Sequence, residues 1–131
     1  PDPPGMSCKA TTSPGENGLQ PSALRGLRCT SSAFPQITTM YGVAERVGPS
    51  DHGAGKAVDF MIEDYRSTSG RALGWRIAEW TRKNADDLGI QYVIFDQKIW
   101  NTSRDGEGWR PMENRGSDTE NHLDHVHVSY Q

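Results

Sequence analysis

Residues 123–130, LDHVHVSY, alternate between apolar and polar side chains in the way that a half-polar β-strand does. Val126 and Val128 share one face of such a strand, and His125 and His127 share the other, because residues two apart point the same way. The valines suit a core. Buried imidazoles without partners are costly, so each histidine requires a hydrogen bond or a metal ion. The pattern predicts a final strand that carries a polar site.

A second polar cluster lies in residues 50–60, SDHGAGKAVDF. His52 falls in a Gly-rich turn, and Asp59 falls in the strand that follows, on the face opposite its apolar neighbours. If this strand lies beside the final one, His52, Asp59 and His127 converge. Two imidazoles and one carboxylate are suitable zinc ligands and leave a fourth position open, as catalysis requires. The alternative is a set of ordinary polar turn residues and hydrogen-bonded histidines without a metal.

Asp124 is the predicted general base of such a site, because a carboxylate near the metal can take a proton from water. Strict alternation would place Asp124 and His127 on opposite faces of the strand. Asp124 can therefore act only if it precedes the regular strand or lies at a bulge. His125 shares a face with His127 and can position the water or stabilise an oxyanion.

The remaining elements predict an α+β fold, with a long helix bracketed by several strands. A short helix over residues 22–28 is capped by Ser22, and a long helix over residues 70–88 is capped by Thr68 or Ser69 and ended by Gly89. Residues 102–121 lack periodicity and are interpreted as a surface loop. The predicted strands cover residues 36–43, 56–62, 90–96, 98–101 and 123–130.

The composition of the 131 residues is that of one globular domain with a net charge of -3. No run of Lys or Arg favours nucleic acid or an anionic membrane. Residues 1–35 are interpreted as an irregular N-terminal arm, tethered by a disulfide between Cys8 and Cys29, and residues 36–131 as the functional domain. A disulfide implies export, and unpaired thiols are the alternative. The chain has no signal peptide or apolar span, and its PDPPG start suggests that a signal was removed.

Both clusters resemble motifs of the LAS zinc peptidases (lysostaphin, D-Ala-D-Ala metallopeptidase, hedgehog). SDHGAGKAVDF is similar to the S-x-H-x-x-G-x-A-x-D motif of the M15, or D-Ala-D-Ala metallopeptidase, branch. The ending HLDHVHVS resembles the H-x-H motif of LAS peptidases combined with the acid-x-x-His arrangement of that branch. Residues 36–131 look closer still to secreted, wall-associated M15-like domains of actinobacteria.

The resemblance implies a role for each polar residue of the two motifs. The zinc ligands would be His52, Asp59 and His127, the general base Asp124, and the second catalytic group His125. His122 would match a further active-site histidine of some members. The fold would be a small antiparallel sheet that carries the ligands, flanked by one long helix and short helices. The protein would be a secreted or wall-associated bacterial monomer, with zinc as its cofactor, peptidoglycan peptides as its substrate and no membrane insertion.

Four further residues are candidates for substrate binding. Arg46 stands near the position where many M15 members hold a substrate carboxylate, and Ser50 opens the first motif. Trp100 and Trp109 flank the long loop and either border the site or serve only as packing residues. Carboxypeptidase and endopeptidase action both remain open. A different class of function, a non-catalytic zinc-containing module that binds the cell wall, is the alternative to a peptidase.

Overall fold

The computed structural model describes residues 2–43 and 50–131, and this part of the chain forms three α-helices and six strands. The helices are Pro21–Ala33 (α1), Thr68–Lys83 (α2) and Ala85–Leu88 (α3). The strands are Met40–Tyr41 (β1), Ala57–Met61 (β2), Ile90–Phe95 (β3), Lys98–Asn101 (β4), Arg110–Pro111 (β5) and His125–Tyr130 (β6). Two 3₁₀ turns are Pro14–Glu16 and Thr102–Glu107. The predicted α+β class is confirmed.

The six strands form one antiparallel sheet in the order β1-β2-β6-β3-β4-β5. The last strand of the chain lies in the middle, because β6 pairs with β2 on one side and with β3 on the other. All six residues of β6, which lies between two paired strands, are buried. The predicted small antiparallel sheet is therefore confirmed, and its central strand carries the two C-terminal histidines of the polar site.

Strand alternation gives the sheet a core face and a polar face. Val128 lies opposite Val58 on one side and Val93 on the other, and all three are fully buried. One residue away, Asp59 lies opposite His127. Burying each valine stabilises the fold by about 1.5–3 kcal/mol. A one-residue slip would expose the valines and bury the polar row in the core, so packing fixes the register that aligns Asp59 with His127.

Helix α1 begins earlier and ends later than predicted. Pro21 occupies the first turn, where its fixed φ and missing N–H are tolerated, and Gln20, rather than Ser22, is the cap residue. Ala23 and Leu27 are fully buried in the main core. The short helix predicted within the N-terminal arm is thus present, with wider bounds. The boundary proposed between the arm and the functional domain stays a prediction.

The long helix predicted before Gly89 is two helices that meet at Asn84. Ser67 caps α2 through its hydroxyl, which accepts a backbone N–H at 2.9 Å, so Thr68 and Ser69 lie inside the helix. The chain leaves helical geometry at Asn84, with φ -101° and ψ 17°. Gly89 ends α3 in the left-handed region, with φ 65°, which confirms the predicted stop.

Two other stretches differ from their predictions. The strand predicted over residues 36–43 is reduced to β1, because the amide of Ile37 donates to Phe34 in a turn at its start. The loop predicted over residues 102–121 contains a 3₁₀ turn and β5, which pairs with β4 at the sheet edge.

The N-terminal segment is tied to α1 by covalent and ionic contacts. Cys8 and Cys29 form the predicted disulfide. Arg28 donates to both oxygens of Glu16, at 3.1 and 2.9 Å, and Thr11 donates to the same carboxylate. The hydrogen bond from Arg28 lowers the pKa of Glu16 to about 2. In the part of the chain that the structure describes, no helix is long and apolar enough to cross a membrane.

Candidate metal centre

His52 is held by a tight turn that leads into β2. The amide of Ala54 donates to the carbonyl of Ser50 at 3.0 Å, and that of Gly55 donates to His52 at 3.0 Å. Gly55 has φ 74°, a left-handed conformation, and a side chain there would approach the carbonyl oxygen of Gly18 to 2.6 Å. Only glycine meets both conditions, so the Gly-rich turn is what places His52 beside the sheet.

Asp59 and His127 are brought together by the pairing of β2 with β6. Oδ1 of Asp59 lies 3.0 Å from Nδ1 of His127 and 3.2 Å from Nε2 of His52. The two ring nitrogens are themselves 3.2 Å apart. All three side chains are buried, and one ligand atom from each lies within 4.8 Å of the others. The predicted convergence is confirmed, and this group can hold a metal ion.

The second nitrogen of each imidazole is tied to another group, which fixes the orientation of the ring. Nδ1 of His52 donates to the carbonyl of Gly42 at 2.9 Å, so its Nε2 is left as a lone pair. Nε2 of His127 contacts the hydroxyl of Ser129 at 2.9 Å, while its Nδ1 faces Asp59. Metal-binding histidines usually have their distal N–H held in this way.

The environment of the group favours an ionised Asp59 carboxylate and a neutral His127 imidazole. Burial alone would raise the pKa of Asp59, but its close contacts with His127 and His52 outweigh burial and place that pKa well below its usual range. Burial lowers the pKa of His127. An anionic oxygen between neutral ring nitrogens is the state that binds a divalent cation.

Asp124 lies just before β6, which removes the conflict with strand alternation. Its Oδ1 lies 2.6 Å from Nδ1 of His125, and its Oδ2 accepts from the hydroxyl of Thr119 at 2.8 Å. Nε2 of His125 lies 3.7 Å from Oδ1 of Asp59. Asp124 therefore reaches the metal group through His125. The catalytic roles of both residues stay predictions.

His122 covers the group with its ring close to two other histidines. Its ring centroid is 4.6 Å from that of His125 and 5.7 Å from that of His127. Burial, together with the neighbouring imidazoles, lowers its pKa to about 4. Its φ of 57° is uncommon for a residue other than glycine, and such strain often marks functional sites.

A cavity of about 630 Å³ opens over the group. Ser50 lines this cavity, in keeping with its predicted role in substrate binding, which stays a prediction. Arg115, Thr119 and Tyr92 also line it, and sequence patterns do not single them out. The loop that carries Arg115 is fixed because its backbone amide donates to the buried Asn121 at 2.8 Å.

Two predicted substrate-binding residues, Trp100 and Trp109, do not line this cavity. Trp100 lies opposite Val93 on the core face of the sheet and is buried. Trp109 packs edge-to-face on Trp75, with centroids 5.1 Å apart. Of the two roles left open by the sequence, both tryptophans have the packing role in the structure, because alternation and packing direct them away from the site. Arg46 lies outside the described residues.

Tyr92 and Asp51 meet next to His127, on whose ring Tyr92 stacks. The Tyr92 hydroxyl donates to Oδ2 of Asp51 at 2.7 Å, and this hydrogen bond lowers the pKa of Asp51. Burial raises the pKa of Tyr92 to about 12, so it stays a donor at neutral pH. Asp51 is therefore a partner of the site and more than a turn residue.

The fold and the site define an α+β domain with a buried His-His-Asp group able to hold a metal ion. The chain belongs to the family described as VldE, C-terminal domain, which it matches over residues 15–123. This match includes His52 and Asp59 and ends before His125.

A relative from Arthroderma benhamiae, described as an uncharacterized secreted protein, is 46% identical over 55 residues. That similarity covers 39% of this chain and 22% of the fungal protein. No solved structure matches the chain.

Proposed function

We propose that this chain is a secreted zinc-dependent peptidase that cleaves the stem peptides or cross-bridges of peptidoglycan. The observation that carries the proposal is the convergence of His52 Nε2, Asp59 Oδ1 and His127 Nδ1 beside the Asp124–His125 pair. A metal group and a proton-transfer group thus border one cavity. The similarity of both motifs to those of the M15 branch supports the same assignment.

The donor set fits zinc. Two imidazole nitrogens and one carboxylate oxygen are among its preferred ligands, and three protein ligands leave a position for water or substrate. Both imidazoles have their distal nitrogens engaged, so that their other lone pairs turn inward. When bound, zinc would supply Lewis acidity that polarises a peptide carbonyl and acidifies a water molecule.

Proton transfer falls to the Asp124–His125 pair. The carboxylate of Asp124 holds Nδ1–H of His125 at 2.6 Å, which leaves Nε2 as the basic nitrogen on the side of Asp59. Nε2 takes a proton as the water oxygen bonds to the carbonyl carbon, and returns it to the amine nitrogen as the C–N bond breaks. Asp124 stabilises the imidazolium in between, and Thr119 holds its second oxygen. Asp124 thereby acts through His125.

Arg115 is proposed to bind a substrate carboxylate. Among the described residues that line the cavity it is the one Lys or Arg side chain. Its nearest acidic partner, Glu113, lies 3.9 Å away, and its side chain is half-exposed. A guanidinium in this state can form a bidentate pair with a carboxylate. Arg115 therefore provides the cavity with a positively charged side chain, independently of the role of Arg46.

Secretion and a peptidoglycan substrate belong to the proposal as well. The disulfide and the description of the fungal relative as secreted support an oxidising, extracytoplasmic location. The relative is fungal, so the bacterial origin predicted from the sequence gains no support. The protein is proposed to act as a monomer without nucleic acid or membrane partners.

Zinc analysis combined with digestion of purified peptidoglycan tests the proposal. The wild type should hold about one zinc per chain and release muropeptide fragments. Asp124→Ala should keep the zinc and lose at least about 100-fold in rate, because His125 loses the carboxylate that orients it and stabilises its imidazolium. Asp118→Ala is the matched control, since it removes a carboxylate that accepts hydrogen bonds from Tyr65 and Arg66 and does not line the cavity.

Two outcomes would contradict the peptidase. A zinc-loaded wild type that cleaves no muropeptide would favour the non-catalytic, zinc-containing wall-binding module. Equal activity of Asp124→Ala and Asp118→Ala would contradict the assignment of proton transfer to the Asp124–His125 pair.

A further inference from the structure

A short segment of the N-terminal arm contacts both parts of the chain that hold His52. This arm segment is residues 15–20, GENGLQ. One part that holds His52 is the turn in which it lies, and the other is the carbonyl of Gly42, 2.9 Å from its Nδ1. Gly42 and His52 are ten residues apart in the sequence, so a third element is needed to keep them in register.

On one side, the arm segment is hydrogen-bonded to the turn that carries His52. The backbone amide of Gln20 donates to the Gly55 carbonyl at 2.8 Å, and its side-chain amide donates to the Ala54 carbonyl at 3.4 Å. The carbonyl oxygen of Gly18 lies 2.6 Å from where a β-carbon on Gly55 would be. The arm segment therefore packs against the turn with backbone on backbone.

On the other side, the arm segment lies against Gly42, the residue after β1. A β-carbon on Gly42 would lie far inside contact distance of the Gly15 carbonyl oxygen and 2.9 Å from Cδ2 of Leu19. A β-carbon on Gly15 would in turn lie 2.6 Å from the carbonyl oxygen of Met40. Neither glycine has a positive φ, so it is the close approach of the two backbones that requires glycine here.

The arm segment is itself fixed to α1. Arg28 donates to both carboxylate oxygens of Glu16, and α1 begins at Pro21, directly after the arm segment. Gly15 and Gly42 are both buried, so their contact is closed to water. A segment held in this way is a firm support for whatever packs against it.

We infer that the arm segment is a positioning element of the proposed metal centre. It holds Gly42 and the turn at a fixed separation, so that His52 keeps the place and orientation that a metal ligand requires. Its effect on metal affinity rests on the proposed metal function, whereas the position of His52 is a property of the metal-free protein and is tested separately. Groups that support a metal-binding histidine from behind typically contribute about 10- to 100-fold to affinity.

Three variants disturb the arm segment at different points. Gly15→Ala and Gly42→Ala push it away from β1 from opposite sides of the same contact. Gln20→Pro removes the amide that donates to Gly55, and the φ of -65° at Gln20 is one that proline adopts. Gly74→Ala is the matched control, because its methyl group would strike the Phe95 ring in the core and leave the arm segment untouched.

The first measurement is the rate at which diethyl pyrocarbonate modifies His52 in the metal-free, 131-residue protein, read by mass spectrometry. His52 is 4% exposed and should react slowly in the wild type and in Gly74→Ala. The three arm variants should react about 10-fold faster, because a loosened turn opens locally more often. Far-ultraviolet circular dichroism verifies that each variant folds. A reactive His52 in the wild type, or equal rates in the wild type and the arm variants, would overturn the inference even if the protein binds zinc.

The second measurement is the zinc dissociation constant, from competition with a chromophoric chelator. Each arm variant should bind zinc about 10- to 100-fold more weakly, and Gly74→Ala should bind it as tightly as the wild type. With cobalt(II) in place of zinc, the visible absorption bands should shift in the arm variants and not in Gly74→Ala.

The results separate the two proposals. Folded arm variants that bind zinc as tightly as the wild type would overturn the positioning role, as would an equal loss of affinity in Gly74→Ala. A wild type whose His52 is protected from modification but which binds no zinc would refute the metal function. Faster modification of His52 in the arm variants would then still support the arm segment as the element that positions this residue.

Discussion

Gly26→Ala gives the sharpest test of how α1 is packed against the strand that carries the histidines. Gly26 lies inside α1 and is buried, and a methyl group there would lie far inside contact distance of the Tyr130 ring. Tyr130 is 1% exposed and ends β6. Two effects therefore oppose each other at this position, a gain in helix propensity and a steric clash.

We expect the steric clash to outweigh the gain in helix propensity. Alanine in place of glycine inside a helix is favourable by about 1 kcal/mol. Overpacking a closed core typically costs about 1–3 kcal/mol, and here a rigid, buried ring would have to move. At the upper end the net destabilisation is about 2 kcal/mol, or a fall in Tm of about 6–10 °C for a domain of this size.

Thermal unfolding followed by circular dichroism measures the effect. Gly106→Ala is the matched control, because a methyl group at Gly106 meets nothing within 4 Å, and its Tm should not change. A Tm of Gly26→Ala equal to or above that of the wild type would mean that helix propensity prevails. The packing of α1 on Tyr130 described above would then be wrong.

Three further predictions concern the N-terminal tether and the cavity. Replacing Cys8 and Cys29 together by alanine should lower the free energy of unfolding in urea by about 3 kcal/mol, because the bridge closes a loop with a sequence separation of 21; an unchanged value would contradict this origin of stability. Glu16 has a pKa of about 2 in the folded protein against an ordinary 4.5, so its stabilising contribution is present above about pH 4.5 and is lost as the pH falls toward 2. Glu16→Gln should therefore flatten the pH dependence of Tm over that range, and a parallel curve would refute the coupling to Arg28. Arg115→Gln should raise KM about 10-fold for peptides with a free terminal carboxylate and leave kcat unchanged, and an equal effect on amidated peptides would exclude carboxylate binding.

Alternation of side chains along the strands is enough to predict the core of the site from the sequence. Side chains alternate between the two faces of a strand, so the positions of residues 123–130 and of Asp59 determine which of them lie on the polar face. Burial of the valines on the other face then fixes the register of the two strands. His52 lies outside a strand, and the Gly-rich turn identifies it because its geometry is local. The amino-acid pattern therefore predicts all three members of the His-His-Asp group.

Features that depend on register shifts and on chain path are not predictable in the same way. Tyr92 reaches the site because of a bulge that leaves no clear sequence signal. The place of Trp100 beside the long loop leaves open whether it borders the site or serves as a packing residue, and its pairing with Val93 places it on the core face. Asp124 escapes strand alternation because the regular strand begins one residue later. For Tyr92, a shift of one residue along the strand exchanges the two faces of the sheet.

Anomalous diffraction at the zinc edge, from crystals of the protein soaked in zinc, tests the metal site most directly. One peak is expected among His52 Nε2, Asp59 Oδ1 and His127 Nδ1, with bonds of about 2.0–2.2 Å, and no peak there is expected in His127→Ala. A wild-type protein without a zinc peak at this position, or with zinc held by other atoms, would contradict the assignment of the His-His-Asp group as a metal centre.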